Sequence, residues 1–283
     1  MIFLIDKPKG YTSFDVVSIV KKKLQSKKAG HCGTLDPLAT GMLPICIDEY
    51  TKIAPYISGQ IKKYHVEAQL GVKTDTYDIT GNIEKEACIK SITFEKIHSQ
   101  LSKFTGKSEQ IPPKFSAIKI KGKKAYELAR KNIDIHLPPR PIEIISIENI
   151  TYDQPLVRFD ITCSKGTYIR TIIDDLGAQL QCGATMTNLR RQWVAPFTNL
   201  DLVDLPKVKM EHGISGSILF NHHICLSDEE IHKLRQGQFV QSQIVQNYDL
   251  VGIKNANNDF MGICTLTNGL LKPKKMLMDK FLA

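Results

Sequence analysis

The sequence predicts a mixed α+β protein, because segments with strand periodicity and segments with helix periodicity follow one another along a single chain. Residues 64–72 alternate between apolar and polar side chains, which is typical of a half-buried strand. Residues 13–24 instead place apolar side chains at helical spacing. The length of 283 residues favours about two domains or one large domain with an appendage, and a hydrophobic content of 42% is ample for a core.

The first half of the chain contains a strand, a helix, a loop, a second strand and a second helix. Residues 1–6 are an apolar run that ends at the turn Lys7-Pro8-Lys9-Gly10, which predicts a first strand. A helix begins at Thr12 or Ser13, both good capping residues, and its apolar side consists of Val16, Val17, Val20 and Leu24. Three glycines and a proline in residues 29–41 favour a loop. The strand at 64–72 follows, and residues 93–104 fit a short helix.

The second half contains an insertion, two strands, a helix and a tail of short strands. Residues 107–140 are polar and lysine-rich, with proline pairs at their margins, and are typical of a protruding segment. Strands are expected at 141–150 and 156–163. A helix begins at Thr167, with its apolar side at Ile169, Ile172, Ile173, Leu176 and Leu180. Residues 206–225 have a weak pattern and fit a linker, and several short strands are expected after residue 226.

The charge of the chain favours a polyanionic partner such as RNA. The formal net charge is +9 and the isoelectric point is near 9.1. The basic residues form short clusters, each of which alone also fits a solvated surface: Lys21–Lys23, Lys27-Lys28, Lys62-Lys63, Lys119 with Lys121, Lys123 and Lys124, and Arg190-Arg191. The chain has no apolar run near the roughly 20 residues that cross a bilayer.

The seven cysteines indicate a reducing compartment. They are scattered and odd in number, and none forms a C-x-x-C pair, which argues against a zinc site and against a disulfide framework. The cytoplasm is therefore the expected location.

The loop at residues 29–41 carries the strongest chemical candidate, Asp36. Pro37 disfavours the helical conformation for Asp36 and holds it extended, and the glycines allow a ligand to approach the backbone closely. A carboxylate on a constrained loop is a common catalytic arrangement. Asp36-Pro37 also fits a plain turn, since both residues are good turn formers, and local pattern alone leaves both interpretations open.

Other residues are ambiguous in the same way. Arg170 falls in the first turn of a predicted helix, where the helix dipole disfavours a cation, so we expect a carboxylate to face it; a solvated arginine is the alternative. Tyr64 fits either sheet core or a site. His31 fits a structural role or a binding role. Cys32 lacks the histidine–acid arrangement of a thiol nucleophile.

A set of motifs resembles the TruB family of tRNA pseudouridine synthases. Gly33, Leu35, Asp36, Pro37, Ala39 and Gly41 fit the family's catalytic-loop pattern G-x-L-D-P-x-A-x-G. Further matches follow in the family's order: Lys7-Pro8-x-Gly10, Lys63-Tyr64, Gly71-x-x-Thr74-Asp75-Thr76-x-Asp78-x-x-Gly81, Ser164-Lys165-Gly166-Thr167-Tyr168-Ile169-Arg170-Thr171, Asp174-Asp175-Leu176-Gly177 and Leu189-Arg190-Arg191. The resemblance covers residues 1–195. Cys32 departs from it, because the family commonly has threonine there.

The resemblance implies that the chain isomerises uridine to pseudouridine at position 55, in the T-loop of tRNA, without any cofactor or metal. Asp36 would be the catalytic aspartate, and its covalent role stays open among attack on the ribose, attack on the base and proton abstraction. Arg170 would pair with it. Tyr64 would stack on the flipped base and is a candidate to take the C5 proton, in a pocket lined by Tyr168 and Leu189. The implied RNA-binding residues are His31, Lys7, Lys63, Lys123 and Lys124.

The resemblance also implies the architecture and the partners. It predicts a pseudouridine synthase fold, with a central, mostly antiparallel sheet flanked by helices, in residues 1–222. Residues 107–140 would grip RNA, and residues 226–283 would form a small PUA-like β-barrel that binds the acceptor stem. The expected partner is the T-arm of tRNA, bound by a monomer with no membrane association and no obligatory protein partner. The alternatives are a non-catalytic tRNA-binding or tRNA-folding protein and a hydrolase that uses Asp36, although no D-x-D, Walker or paired D-T-G pattern supports a hydrolase.

Overall fold

The computed structural model describes residues 1–116, 118–120, 122–129, 131, 133 and 135–278. The described strands are β1 (Ile2–Lys7), β2 (Ala29–His31), β3 (Thr40–Ile47), β4 (Lys62–Leu70), β5 (Val72–Thr74), β6 (Ile83–Glu86), β7 (Gly106–Gln110), β8 (Lys119–Ile120), β9 (Lys123–Lys124), β10 (Arg140–Asp153), β11 (Leu156–Cys163), β12 (Ala184–Val194), β13 (Val203–Asp204), β14 (His223–Cys225), β15 (Val240–Gln241), β16 (Tyr248–Lys254), β17 (Phe260–Thr267) and β18 (Leu270–Met276). The α-helices are α1 (Ser13–Lys23), α2 (Ala54–Ser58), α3 (Phe94–Ser102), α4 (Ala125–Ala129), α5 (Ile169–Gln179) and α6 (Asp228–Arg235). Short 3₁₀ helices lie at Asp48–Ile53, Leu205–Lys207, Met210–His212 and Gly216–Leu219.

The chain divides into two compact units. The first contains Met1–Pro37, Gly41–Gly59 and the chain from Pro196 onward; the second contains Leu38–Thr40 and Gln60–Ala195. The predicted domain boundary near residues 222–226 lies at β14 and stays a prediction.

In the first unit, β1 pairs with β3 in antiparallel orientation and with β13 in parallel orientation, and β2 adds to β3. The valines of α1 pack on this sheet in one buried cluster with Phe3, Ile5, Leu43 and Ile45. Thr12 caps α1 through a complete capping box with Asp15, which confirms the helix start expected from the sequence.

The C-terminal part of the first unit forms a five-stranded sheet in the order β14-β16-β17-β18-β15, which confirms the expected run of short strands. All its pairs are antiparallel except β14 with β16. Ile231 and Leu234 of α6 are buried in a common core with Val251, Ile253 and Cys264 of the sheet.

In the second unit, five antiparallel strands lie in the order β12-β4-β11-β10-β7. Strand β4 alternates as predicted, with Tyr64, Val66 and Ala68 buried on one face. Helix α5 approaches β12 so closely that a Cβ on Gly177 would lie 2.1 Å from the Ala184 nitrogen, so only glycine fits there. The mixed α+β class with a mostly antiparallel sheet is confirmed.

The other face of β4 carries a polar network. His65 Nδ1 lies 2.8 Å from Asp160 Oδ1, and Asn149 Nδ2 donates to Asp160 Oδ2 at 2.8 Å. Burial raises the pKa of Asp160, but these hydrogen bonds outweigh burial, so that the pKa is lowered overall. The network therefore holds an ionised carboxylate between three strands.

Several described elements differ from the sequence-based expectation, among them β2, β3, β12 and α5. Strands β3 and β12 were not predicted, and β2 occupies part of the expected loop. Helix α5 begins at Ile169, two residues later than expected, and Tyr168 before it is still extended. None of the helices in the described ranges is long and apolar enough to span a bilayer.

Candidate active site

Asp36 lies half-buried on the loop between β2 and β3, and the residue before it is fixed by one serine. The Ser13 hydroxyl accepts from the Leu35 N–H at 2.8 Å and donates to the Leu35 carbonyl at 3.0 Å. Ser13 and Leu35 are both buried, so water competes poorly for these groups. The first turn of α1 therefore holds the backbone immediately before Asp36.

The residue after Asp36 is fixed as well. The Pro37 carbonyl accepts from the Gly10 N–H at 2.8 Å and lies 3.4 Å from the Lys7 ammonium, which also donates to the Pro8 carbonyl at 3.1 Å. Gly10 has a φ of +88°, which favours glycine. Because Lys7 is fully buried, its geometry favours support of the loop over direct contact with RNA.

The start of the loop is formed by His31 and Cys32. His31 ends β2 opposite Ile45, and Gly33 turns the chain with a φ of +116°. Cys32 is buried, with its sulfur 3.5 Å from that of Cys46. A buried thiol in apolar surroundings is a poor nucleophile, which agrees with a packing role for Cys32.

In the second unit, Arg170 is buried in the first turn of α5 and faces a carboxylate, as its position predicted. Its Nη1 lies 3.5 Å from Asp78 Oδ2 and donates to the Thr76 carbonyl at 3.0 Å, and its Nη2 donates to the Phe115 carbonyl at 3.0 Å. The pair is almost fully buried, with 5% and 7% of the two side chains exposed. Such a pair holds the guanidinium plane in one orientation.

The carboxylate beside Arg170 belongs to Asp78, which the sequence did not single out, although it lies in the motif that ends at Gly81. Its Oδ1 accepts from the Thr80 N–H at 2.9 Å and from the Thr76 hydroxyl at 3.1 Å. A Cβ on Gly81 would lie 2.3 Å from the Thr76 hydroxyl oxygen, so a larger residue there would displace the Thr76 side chain from this turn. The motif builds a rigid turn that aims a carboxylate at Arg170.

The predicted pocket residues of the second unit come from three elements. Tyr64 is buried on β4 between Ile161 of β11 and Arg191 of β12 in the strand register. Leu189 is buried on β12 opposite Val66. Tyr168 is the N-cap residue of α5, two residues before Arg170.

The predicted RNA-binding lysines of this unit differ in exposure. Lys63 is half-buried and pairs with Glu148 at 3.1 Å, while Lys123 is exposed on the short strand β9, followed there by Lys124. Lys121 lies outside the described residues. In the part of the chain that the structure describes, no cluster of three or more His, Cys, Asp or Glu side chains is arranged to hold a metal ion.

Family models match most of the chain. The N-terminal domain of TruB family pseudouridylate synthase matches residues 21–169, the C-terminal domain of tRNA pseudouridylate synthase B matches residues 170–216, and the C-terminal domain of pseudouridine synthase II TruB matches residues 223–277.

Curated relatives match nearly the whole chain. A tRNA pseudouridine synthase B of Histophilus somni is 38% identical over 99% of this chain and 95% of its own length, and one of Dehalococcoides mccartyi is 37% identical over 98% and 96%. Among solved structures, a Cbf5-Nop10-Gar1 complex contains a chain with a TM-score of 0.70 at 23% identity, covering 98% of this chain and 84% of that one, which shows a shared fold. The chain therefore belongs to the TruB family of pseudouridylate synthases.

Proposed function

We propose that the chain isomerises the T-loop uridine at position 55 of tRNA, with Asp36 as the catalytic carboxylate. The coarser activity follows from the family: the chain is a tRNA pseudouridine synthase, which converts uridine to pseudouridine. The observation that carries the role of Asp36 is the anchoring of both its neighbours, Leu35 to Ser13 at the start of α1 and Pro37 to Gly10 in the turn before it. A carboxylate that projects from a backbone fixed on both sides starts from a defined position, which favours the preorganisation that catalysis requires.

The reaction needs a nucleophile or base beside the sugar and a route for the C5 proton. The bond from N1 of uracil to the ribose breaks, the base rotates, and a bond from C5 to the ribose forms, so atoms balance without an outside group. A carboxylate can act as the covalent nucleophile. No step calls for a redox cofactor, and we propose that the chain uses none.

We propose that Tyr64, Arg170, Tyr168 and Leu189 act on the same uridine as Asp36. The burial of Arg170 beside Asp78 supports this, because a buried cation with a fixed plane is a specific electrostatic element and not a solvated side chain. Tyr64 would stack on the base, and Tyr168 and Leu189 would line its pocket.

The target base must leave the T-loop stack before it can react, at a cost of a few kcal/mol. We propose that phosphate contacts from exposed lysines such as Lys123 offset this cost, with Lys63 and His31 nearer the flipped nucleotide and residues 226–283 on the acceptor stem. Affinity for tRNA then falls as salt rises. The chain would work as a monomer in the cytoplasm, on the T-arm of tRNA, without an obligatory protein partner.

The test is Asp36→Asn, which keeps the size of the side chain and removes its charge. Wild type and variant are incubated with unmodified tRNA transcript, pseudouridine is mapped by position, and tRNA binding is measured in parallel. We expect no product from the variant and nearly normal binding. Asp201→Asn, at an exposed residue, is the matched control and should behave as wild type.

Each result has a separate meaning. Product from Asp36→Asn at the wild-type rate would refute the catalytic role. Product at another uridine would refute only the T-loop assignment. Tight binding without turnover by the wild type would favour the non-catalytic tRNA-binding alternative.

A further inference from the structure

The backbone of Tyr168 is held at both its polar atoms by one side chain, that of Gln110. The Tyr168 N–H donates to Gln110 Oε1 at 2.8 Å, and Gln110 Nε2 donates to the Tyr168 carbonyl at 3.1 Å. Gln110 ends β7, 58 residues earlier in the chain, and is only 6% exposed. Its amide therefore binds this one residue much as a neighbouring strand would, with one donor and one acceptor.

This contact lies where the chain changes from extended to helical. Tyr168 has φ −96° and ψ 107°, and α5 begins at the next residue. A tyrosine side chain is not among those that cap helices, so the local sequence does little to fix this start. The two hydrogen bonds from Gln110 set the Tyr168 backbone, and with it the direction in which α5 departs.

A second contact joins the same two segments. The Phe115 carbonyl accepts from Arg170 Nη2 at 3.0 Å, and Pro112 and Pro113, both buried, lie between Gln110 and Phe115. Proline fixes φ, so the path from Gln110 to Phe115 is stiff. Residues 110–115 therefore meet the start of α5 at two points, the backbone of Tyr168 and the guanidinium of Arg170.

We propose that Gln110 is a positioning residue for the uridine isomerisation: its amide orients Tyr168 and Arg170 toward the base. Gln110 is buried and acts through these two residues. The inference rests on the pocket roles proposed above for Tyr168 and Arg170.

The test uses Gln110→Met, which keeps the length of the side chain and removes both hydrogen bonds. Release of the C5 proton from tRNA is measured in single turnover, together with the tRNA dissociation constant and the melting temperature. We expect the rate constant to fall on the order of 10- to 100-fold, as misplaced catalytic groups do, while the dissociation constant stays within about twofold. Gln179→Met, at an exposed glutamine on α5, is the matched control and should match wild type.

Combination with Arg170→Lys separates this proposal from the proposed function. If Gln110 acts through Arg170, the double variant loses less rate than the product of the two single losses. If Arg170→Lys alone keeps the wild-type rate, the role of Arg170 is refuted, and Gln110 is judged on its single variant.

Two results would overturn the role of Gln110. One is an unchanged rate constant in Gln110→Met with a lower melting temperature, which means a stability role only. The other is weaker tRNA binding with an unchanged rate constant. Should Gln110→Met fail to fold, Gln110→Glu, which keeps the acceptor for the Tyr168 N–H but loses the donor to the Tyr168 carbonyl, is measured instead, and an unchanged rate constant in that variant would equally overturn the role.

Discussion

Ser13→Ala tests whether the fixed loop around Asp36 matters for catalysis. The variant removes one hydroxyl and, with it, both hydrogen bonds to the Leu35 backbone, at 2.8 and 3.0 Å. Ser13 and Leu35 are 3% and 4% exposed, so water does not readily take the place of the hydroxyl. A buried polar group that loses its partner costs about 1–3 kcal/mol.

The size of the effect on rate follows from this cost. If the whole cost appears in the transition state, the rate constant falls by about 5-fold to about 160-fold, at about 1.36 kcal/mol for each factor of ten. Any part of the cost that is already present in the folded ground state lowers the free energy of unfolding and leaves the rate constant unchanged. We expect tRNA affinity to stay close to wild type, because the hydroxyl is buried.

The assay is single-turnover release of the C5 proton from tRNA, with urea denaturation for stability. Ser18→Ala is the matched control, because Ser18 lies on the same helix and its hydroxyl donates only to the Phe14 carbonyl in an exposed turn. A Ser13→Ala variant with both the rate and the stability of wild type would show that the loop does not depend on this anchor.

Two carboxylates and the cysteines give further expectations. Asp78→Ala removes the carboxylate from a buried ion pair, so the free energy of unfolding in urea should fall by about 3 kcal/mol; an unchanged urea midpoint would contradict this. Asp160→Asn should be less stable than wild type by on the order of 1–3 kcal/mol at neutral pH. The pKa of Asp160 is lower in the folded protein than the value of 3.8 in the unfolded chain. The ionised carboxylate therefore contributes its full share to the free energy of unfolding above pH 3.8, and this share is lost as the pH falls through the folded pKa. Wild type and Asp160→Asn should then become equally stable in acid. Among the seven cysteines, the exposed Cys88 and Cys225 should react first with a thiol reagent at pH 8. The buried cysteines should react slowly, and burial raises the pKa of one of them, Cys163, to about 11. Rapid labelling of all seven would contradict the burial of the other five.

Elements with local signals could be predicted from the sequence. Helix α1 has its capping residue, its acidic partner three positions later and its apolar stripe within a dozen residues, so pattern and structure agree. The same holds for β4, whose alternation is uninterrupted over nine residues. The fold class followed from such segments, and the family membership followed from the motifs.

Elements that depend on distant contacts could not be predicted. Strand β12 has register irregularities between Met186 and Asn188 and between Arg191 and Trp193, which break its period of two. Strand β3 contains Pro44, which argues locally against a strand. The start of α5 was misplaced by two residues because Gln110, which holds the preceding backbone, is far away in the sequence.

In the candidate active site, too, contacts between residues far apart in the sequence could not be predicted. The position of Arg170 at a helix start predicted an anionic neighbour, and the structure provides Asp78. The choice of that carboxylate depends on a turn 92 residues away, which no local pattern connects to α5. The pairing of Arg170 with Asp36, which the family resemblance implies, stays a prediction.

The contact between Gln110 and Tyr168 separates two requirements at one position, the support of the backbone and the choice of the side chain. The glutamine amide binds only the peptide groups on either side of the residue 168 side chain. These two hydrogen bonds therefore do not depend on which side chain residue 168 carries, as long as residue 168 keeps its N–H group. In a set of variants at position 168, the backbone anchor at the start of α5 should therefore survive a change of side chain as long as Gln110 is retained.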